Sequence, residues 1–475
     1  MTIVAAVVFT GLLLLWLHRL ERTGRGVVVV AVVLAIILAE SLLYQSQNEI
    51  PPGLIHPEYR GFSFRLIDIV IPAALLARLI QRTRGRPVNT SVLLWVVFAV
   101  WLAAAGLLGA YEGNRLQLVA FHGKAIIYLG VLVLAATVPL HEYLAKDRLE
   151  RFLTGAACAA LAFIALDVAG VGVTRDLPLL PLQDFGVLGS DAATLFASLG
   201  AVALALGLLA EQGGGRLLAV AVALLAAPAV ADQRAAFIGL AVSLAVVALA
   251  MAFSRRRVRV TPTEIGLAAL AVAALLALST TGEVITGGEG KLPLQDRLTT
   301  TFTSYEETLT TGDRLNQWRE AWPLIEERPV FGWGLGKEYF YYNKGYWRFD
   351  KLDMTHNIFF DLLLRSGLVG LGLFLLALGA TGLAAMRGWS WHESDRAAAF
   401  ALAAGAVVAG LVGKGMVESI FEKYRLAVAL GLGIGAMIAA GLPAEARAAL
   451  RGRAPRTATE RVGARMPAGL KTRGT

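Results

Sequence analysis

Residues 282–355 form a polar stretch that closes on Thr355-His356-Asn357 and runs without a break into the segment 357–386, NIFFDLLLRSGLVGLGLFLLALGATGLAAM. The second segment is long and apolar enough to cross a hydrocarbon core, which takes about 20 residues of helix. The polar stretch belongs in water, so group-transfer chemistry has its place there and at the helix ends that face it. Comparable apolar runs recur near 3–17, 26–43, 66–80, 91–109, 125–140, 152–171, 192–210, 217–231, 235–253, 263–280, 397–417 and 425–442. With 475 residues, 56% hydrophobic, 17% charged and a mean hydropathy of +0.63, the sequence predicts an all-α, polytopic transmembrane bundle. The run at 66–80 is short and carries Asp68, so the expected count is 12 or 13 spans.

Basic residues fix the expected orientation, because positively charged short loops resist translocation. Arg19, Arg22 and Arg25, then Arg78, Arg82, Arg84 and Arg86, then Lys146, Arg148 and Arg151, then Arg255, Arg256, Arg257 and Arg259 occupy alternate loops, which are assigned to the cytoplasm. The segment 282–355 then falls on the outer face, as does the short turn Ala231-Asp232-Gln233-Arg234. The N-terminus is outside with thirteen spans, and inside if the first or third run does not cross. Four regions follow: transmembrane helices over 1–281, about ten spans; the large outer-face loop, with short helices, over 282–355; C-terminal transmembrane helices over 356–442; and a basic cytoplasmic tail, expected to be disordered, over 443–475.

The first run lacks a basic leader and a small-residue cleavage site, so it reads as a span rather than a removable signal. Cys158 is the sole cysteine, which excludes a disulfide framework. The net charge of +9 fits anionic lipid headgroups better than nucleic acid. No internal repeat or matched pair of interrupted helices argues for an inverted-repeat transporter. Glycines at 367, 370, 372 and 379, and at 431, 433 and 435, have the spacing that lets membrane helices pack closely.

Within the loop, Thr311-Gly312-Asp313 offers capping side chains for a short helix beginning near Arg314, with Trp318 and Trp322 on the face of Arg314 and Pro323 kinking or ending it. The turn Arg328-Pro329-Val330-Phe331-Gly332-Trp333-Gly334-Leu335-Gly336 requires close backbone approach. Tyr339 to Tyr342, Tyr346, Trp347 and Phe349 supply aromatic faces that suit sugar rings or a membrane interface equally. A neutral imidazole at His356 can take a proton from an acceptor hydroxyl. Arginines hold diphosphate oxygens bidentately and stay charged, which makes Arg234 and Arg314 candidates to stabilise a departing lipid diphosphate. Each residue also has a structural reading, as a cap, an interface anchor or a snorkelling side chain. Asp350 and Asp353 lack the Asp-x-Asp spacing of metal-bridged sugar-nucleotide sites, so no metal ligand set is assigned. Lys414 and Glu418, four apart inside or near the outer half of a span, are functional suspects or a structural ion pair.

The segment from Gly312 to Trp322, the turn from Arg328 to Gly334, and the run from His356 to Gly370 together resemble the O-antigen ligase and O-antigen polymerase superfamily. Gln233-Arg234-Ala235-Ala236-Phe237 resembles that family's Ser-Arg-Gly type of turn, with Gln in place of Ser. The resemblance implies a metal-independent, inverting glycosyltransferase of the GT-C kind in the bacterial cytoplasmic membrane, active on its outer face. It needs no cofactor, and its donor would be a glycan on undecaprenyl diphosphate. By motif, His356 positions or deprotonates the acceptor, while Arg234 and Arg314 hold the diphosphate. Arg319 and Lys124 are further candidates for diphosphate or glycan contacts, beside Lys414, Glu418, Trp318 and Trp322. The acceptor stays open: a glycan, a lipid or a protein hydroxyl, corresponding to polymerase, ligase or oligosaccharyltransferase, with the ligase favoured. A lipid-linked glycan transporter, the competing class, calls for charges along the midplane of several spans, where the sequence offers mainly Asp68, Lys414 and Glu418. A membrane scaffold leaves the convergence of His356, Arg234 and Arg314 unexplained.

Overall fold

The computed structural model describes residues 13, 15–17, 19–20, 26–43, 58–59, 62–63, 65–80, 89–137, 146–168, 190–209, 214–230, 234–253, 309–343, 348–391 and 395–442. The run at 263–280, most of that at 3–17, the first part of the loop and the basic tail lie outside the described residues. The described chain is overwhelmingly helical: α1 Gly26–Leu43, α2 Leu66–Ile80, α3 Thr90–Tyr111, α4 Leu116–Ala136, α5 Lys146–Val168, α6 Ser190–Leu208, α7 Gly214–Leu225, α8 Ala227–Val230, α9 Arg234–Ala252, α10 Leu309–Glu327, α11 Ile358–Trp391, α12 Asp395–Gly415 and α13 Tyr424–Ala440. Among them six helices are long and apolar enough to span a membrane; of four shorter apolar stretches, two precede these in sequence, one lies among them and one follows. The protein is a multi-pass membrane protein.

Helix α13 lies at the centre, nearly every residue buried, along α4. Glycines permit this approach: a Cβ at Gly435 would stand 2.5 Å from Leu132 O, and one at Gly431 3.1 Å from Tyr128 O. Similarly, α9 meets α12 where Gly239 faces Gly410, at a point where a Cβ on Gly239 would be 2.7 Å from the Gly410 carbonyl. Gly372 and Gly379 behave differently from expectation. Nothing lies within 4 Å of a Cβ built at either, so their spacing marks an open face of α11 rather than a packing seam.

Three elements between 309 and 367 depart from the sequence reading. Helix α10 starts at Leu309, ahead of the expected cap, and runs through Pro323 to Glu327. Pro323 removes the hydrogen bond to the carbonyl of residue 319, and that carbonyl belongs to an exposed turn where water can replace it. The inward face at Gln317, Ala321 and Ile325, four residues apart, holds the helix together across the proline. The aromatic run is half of a hairpin: β3 Tyr339–Asn343 pairs antiparallel with β4 Arg348–Leu352. Strand alternation turns Tyr339 and Tyr341 inward and leaves Phe340 and Phe349 exposed. A smaller hairpin pairs β1 Glu58–Tyr59 with β2 Phe62–Ser63.

The apolar run at 357–386 is a broken helix. At Gly367, φ 64° and ψ −169° interrupt α11, and the turn at 328–336 occupies the break. Trp333 and Gly334 donate their N–H groups to Leu364 O (2.8 Å) and Arg365 O (3.0 Å), while Pro329 O accepts from Leu368 N at 2.7 Å. Leu335 N donates to Ala105 O in α3 at 2.9 Å. Irregular backbone at membrane depth survives where protein satisfies its polar groups, and these bonds do so. Gly332, Gly334 and Gly336 all have positive φ and lie against other backbone, as the sequence predicts for this turn.

Candidate active site

His356 lies two residues ahead of the first residue of α11, on the loop that leads into it. His356 has φ 52°, the only non-glycine residue with positive φ among those described, a conformation that costs of order 1–3 kcal/mol unless its surroundings impose it. Here they do. Asp361 Oδ1 accepts the Thr355 N–H at 2.8 Å and the Thr355 hydroxyl at 2.9 Å, fixing the residue before the histidine. Asn357 caps α11 through Oδ1, accepting from the N–H groups of Phe359 and Phe360, and its amide donates to Met416 O at 2.9 Å. Trp318 Nε1 donates to Thr355 O at 2.7 Å, and its ring stacks on Phe360 at 5.5 Å. Trp318→Phe therefore removes one hydrogen bond and keeps the stack; the expected loss is about 1 kcal/mol of stability, read as a lower unfolding midpoint.

On the other side, His356 Nδ1 lies 2.9 Å from Gln317 Oε1. An amide oxygen only accepts, so Nδ1 carries the hydrogen and the Nε2 lone pair stays available. Burial pushes the imidazole below its ordinary value of 6.5, and the neighbouring Arg314 charge pushes the same way. The ring is neutral at neutral pH, the form that can accept a proton.

A layer of buried ionic groups lies beneath this loop. Arg365 ion-pairs with Glu422 at 2.5 Å, stands 3.6 Å from Asp361 and donates to Asp353 O. Ser419 donates its hydroxyl to Asp361 Oδ2. His122 accepts the Gly336 N–H on Nδ1 at 3.0 Å, which points Nε2 toward Glu422 (3.5 Å) and Asp353 (3.6 Å). Burial holds the Glu422 carboxyl well above the usual range despite Arg365. A cavity of about 30 Å³, room for a water molecule, is lined by His122, Asp361, Arg365, Leu335 and Phe421. None of Asp361, Arg365, His122 or Glu422 stands out in the sequence, apart from the charge of Arg365 beside a Ser-Gly pair inside an apolar run, a known cause of kinks.

The remaining candidates separate. Arg314, on α10 a turn from Gln317, is half-buried with its charge bearing on His356. Arg234 begins α9, five residues before Gly239, which packs on Lys414 and Gly410. Lys414 donates to Thr194 at 2.7 Å and pairs with Glu418 at 2.9 Å, and Glu418 also pairs with Lys423; this pair is a buried link between α12, α6 and the turn at 416–423. Lys124 is bound to Asp68 at 2.7 Å. Arg319 is exposed. Trp322, 45% exposed, leans on Phe360 and donates to Glu326, which leaves one face open to solvent.

Residues 219–375, from α7 to the middle of α11, match a family model described as O-Antigen ligase. No curated protein matches the chain.

Proposed function

We propose that this chain, which carries an O-antigen ligase family segment across residues 219–375, transfers a glycan from undecaprenyl diphosphate to an acceptor hydroxyl at the outer face of the bacterial cytoplasmic membrane. The observation that carries the reading is His356 itself, neutral, oriented by Gln317, and held beside Arg314 by an imposed backbone conformation. The acceptor oxygen attacks the anomeric carbon of the donor sugar from the side opposite the diphosphate. As the new C–O bond forms, the old bond to diphosphate breaks and the anomeric configuration inverts. The acceptor's proton passes to His356 Nε2, and the charge left on the diphosphate is met by Arg314 and Arg234. Their positive charge serves the role a metal would otherwise fill, so a chelator leaves the rate unchanged; a strict need for Mg²⁺ or Mn²⁺ contradicts this mechanism. Among acceptors, a lipid-anchored saccharide is favoured, as in a ligase; a second lipid-linked repeat unit or a protein hydroxyl defines the polymerase and oligosaccharyltransferase alternatives.

Two pH measurements test the role of His356. The acid limb of kcat/KM lies below 6.5, because the imidazole is a base only when neutral and its proton affinity is lowered. Gln317→Glu places a carboxylate on Nδ1, stabilises the imidazolium and moves that limb to higher pH. An acid limb unmoved by Gln317→Glu assigns the titration to another group. Nuclear magnetic resonance of the product decides the stereochemistry: inversion is expected, and retention overturns the single-displacement step.

A further inference from the structure

Three helices aim their N-termini at one buried spot beside this site. Arg65 precedes α2, Asp191 lies in the first turn of α6, and Lys423 and Arg425 flank Tyr424 at the start of α13. The guanidinium of Arg65 sits 3.9 Å from the centre of the Tyr424 ring and that of Arg425 5.1 Å from it, so two cations crowd a single aromatic ring. Arg425 is 1% exposed and Arg65 6%. Yet Arg65 Nε and Arg425 Nη2 have no hydrogen-bond partner among the described residues. Asp191 approaches Lys423 and Arg425 only to 3.6 Å, near enough to offset charge and too far to occupy a donor.

Leaving donors of a buried guanidinium unmade is costly. Placing two such cations at helix N-termini compounds the cost, since those ends carry partial positive charge and favour anions. An oxyanion with several acceptor oxygens relieves both. We propose that Arg65 and Arg425, with Lys423 at the solvent side, form a phosphoryl-binding subsite separate from the Arg314 and His356 pair. The open donors are one nitrogen on each guanidinium, Arg65 Nε and Arg425 Nη2, Arg425 Nε being spent on the Tyr424 hydroxyl at 2.9 Å; the several oxygens of a phosphoryl group can meet both. Lys423, whose side chain is 24% exposed, marks the entrance. The phosphoryl group belongs either to the lipid donor or to a phosphorylated acceptor.

The test is isothermal titration of the purified, full-length Arg234→Gln/Arg314→Gln protein with inorganic pyrophosphate, so that the two arginines assigned to the donor diphosphate contribute nothing. Binding is expected, and adding Arg425→Gln or Arg65→Gln weakens it at least tenfold. Arg425→Lys keeps the charge and loses the open Nη2 donor, so it also weakens binding tenfold and serves if the glutamine variants do not fold. Displacement of pyrophosphate by undecaprenyl diphosphate assigns the subsite to the donor; displacement by a sugar phosphomonoester assigns it to the acceptor. An unchanged affinity in folded Arg425 and Arg65 variants, or no binding to the folded parent, overturns the proposal. His356→Ala, which stops transfer under the reading above, leaves pyrophosphate binding intact, so the two ideas fail separately.

Discussion

His356→Ala is expected to lower the rate of transfer by 10² to 10⁴-fold, the usual contribution of a positioned general base, while the protein accumulates and unfolds as the parent does. The imidazole makes a single recorded hydrogen bond, to Gln317, and the residues that fix the loop are its neighbours Thr355 and Asn357. Deleting the ring therefore removes chemistry more than structure. Alanine also adopts φ 52° less readily than glycine, so His356→Gly serves as the companion variant: both are inactive and both stay folded. Donor affinity holds in both, because the diphosphate is assigned to Arg234 and Arg314. Near-parental turnover in either variant removes His356 from the reaction.

Gly367→Ala is expected to be the most damaging single methyl addition in the described chain. The φ, ψ pair at Gly367 lies in a region open almost only to glycine, and a Cβ there would overlap the Val330 carbonyl. Relief requires expelling the 328–336 turn from the break in α11, with loss of the bonds from Trp333 and Gly334 to Leu364 and Arg365. Strain plus overpacking amounts to about 3 kcal/mol or more, and transfer falls with it because the same nine residues of helix carry Asp361 and Arg365. Gly372→Ala and Gly379→Ala are the controls. Both sites are open, so alanine there is neutral or stabilises by up to about 1 kcal/mol. Unfolding midpoints in detergent measure all three, and equal midpoints would contradict this account of the break.

The membrane fold was legible in the sequence because hydrocarbon imposes a length and a composition on each span, and both are local. The close-packed turn at 332–336 was legible for the same reason: three glycines in five residues leave few alternatives. The start of helix α10 is not legible, because Thr311-Gly312-Asp313 offers caps and the chain begins the helix ahead of them, at Leu309. The hairpin is not legible either, because β alternation in Tyr339-Phe340-Tyr341-Tyr342 is hidden when every side chain is aromatic. Least legible was the ionic layer. Arg365 meets Glu422 and His122 meets Gly336 across separations of 57 and 214 residues, pairings that no periodicity encodes. His356 and Arg314 could be singled out by chemistry, but Gln317, which orients the imidazole, is an ordinary polar residue until the helix turns it inward.

The most direct measurement is transfer by the purified protein, supplied with undecaprenyl diphosphate-linked glycan and, in turn, a lipid-anchored saccharide, a second donor molecule and a peptide, with products resolved by mass. The account predicts glycan joined to one acceptor, with release of undecaprenyl diphosphate. Donor recovered intact with every acceptor, from protein shown to be folded, would contradict it and turn attention to transport.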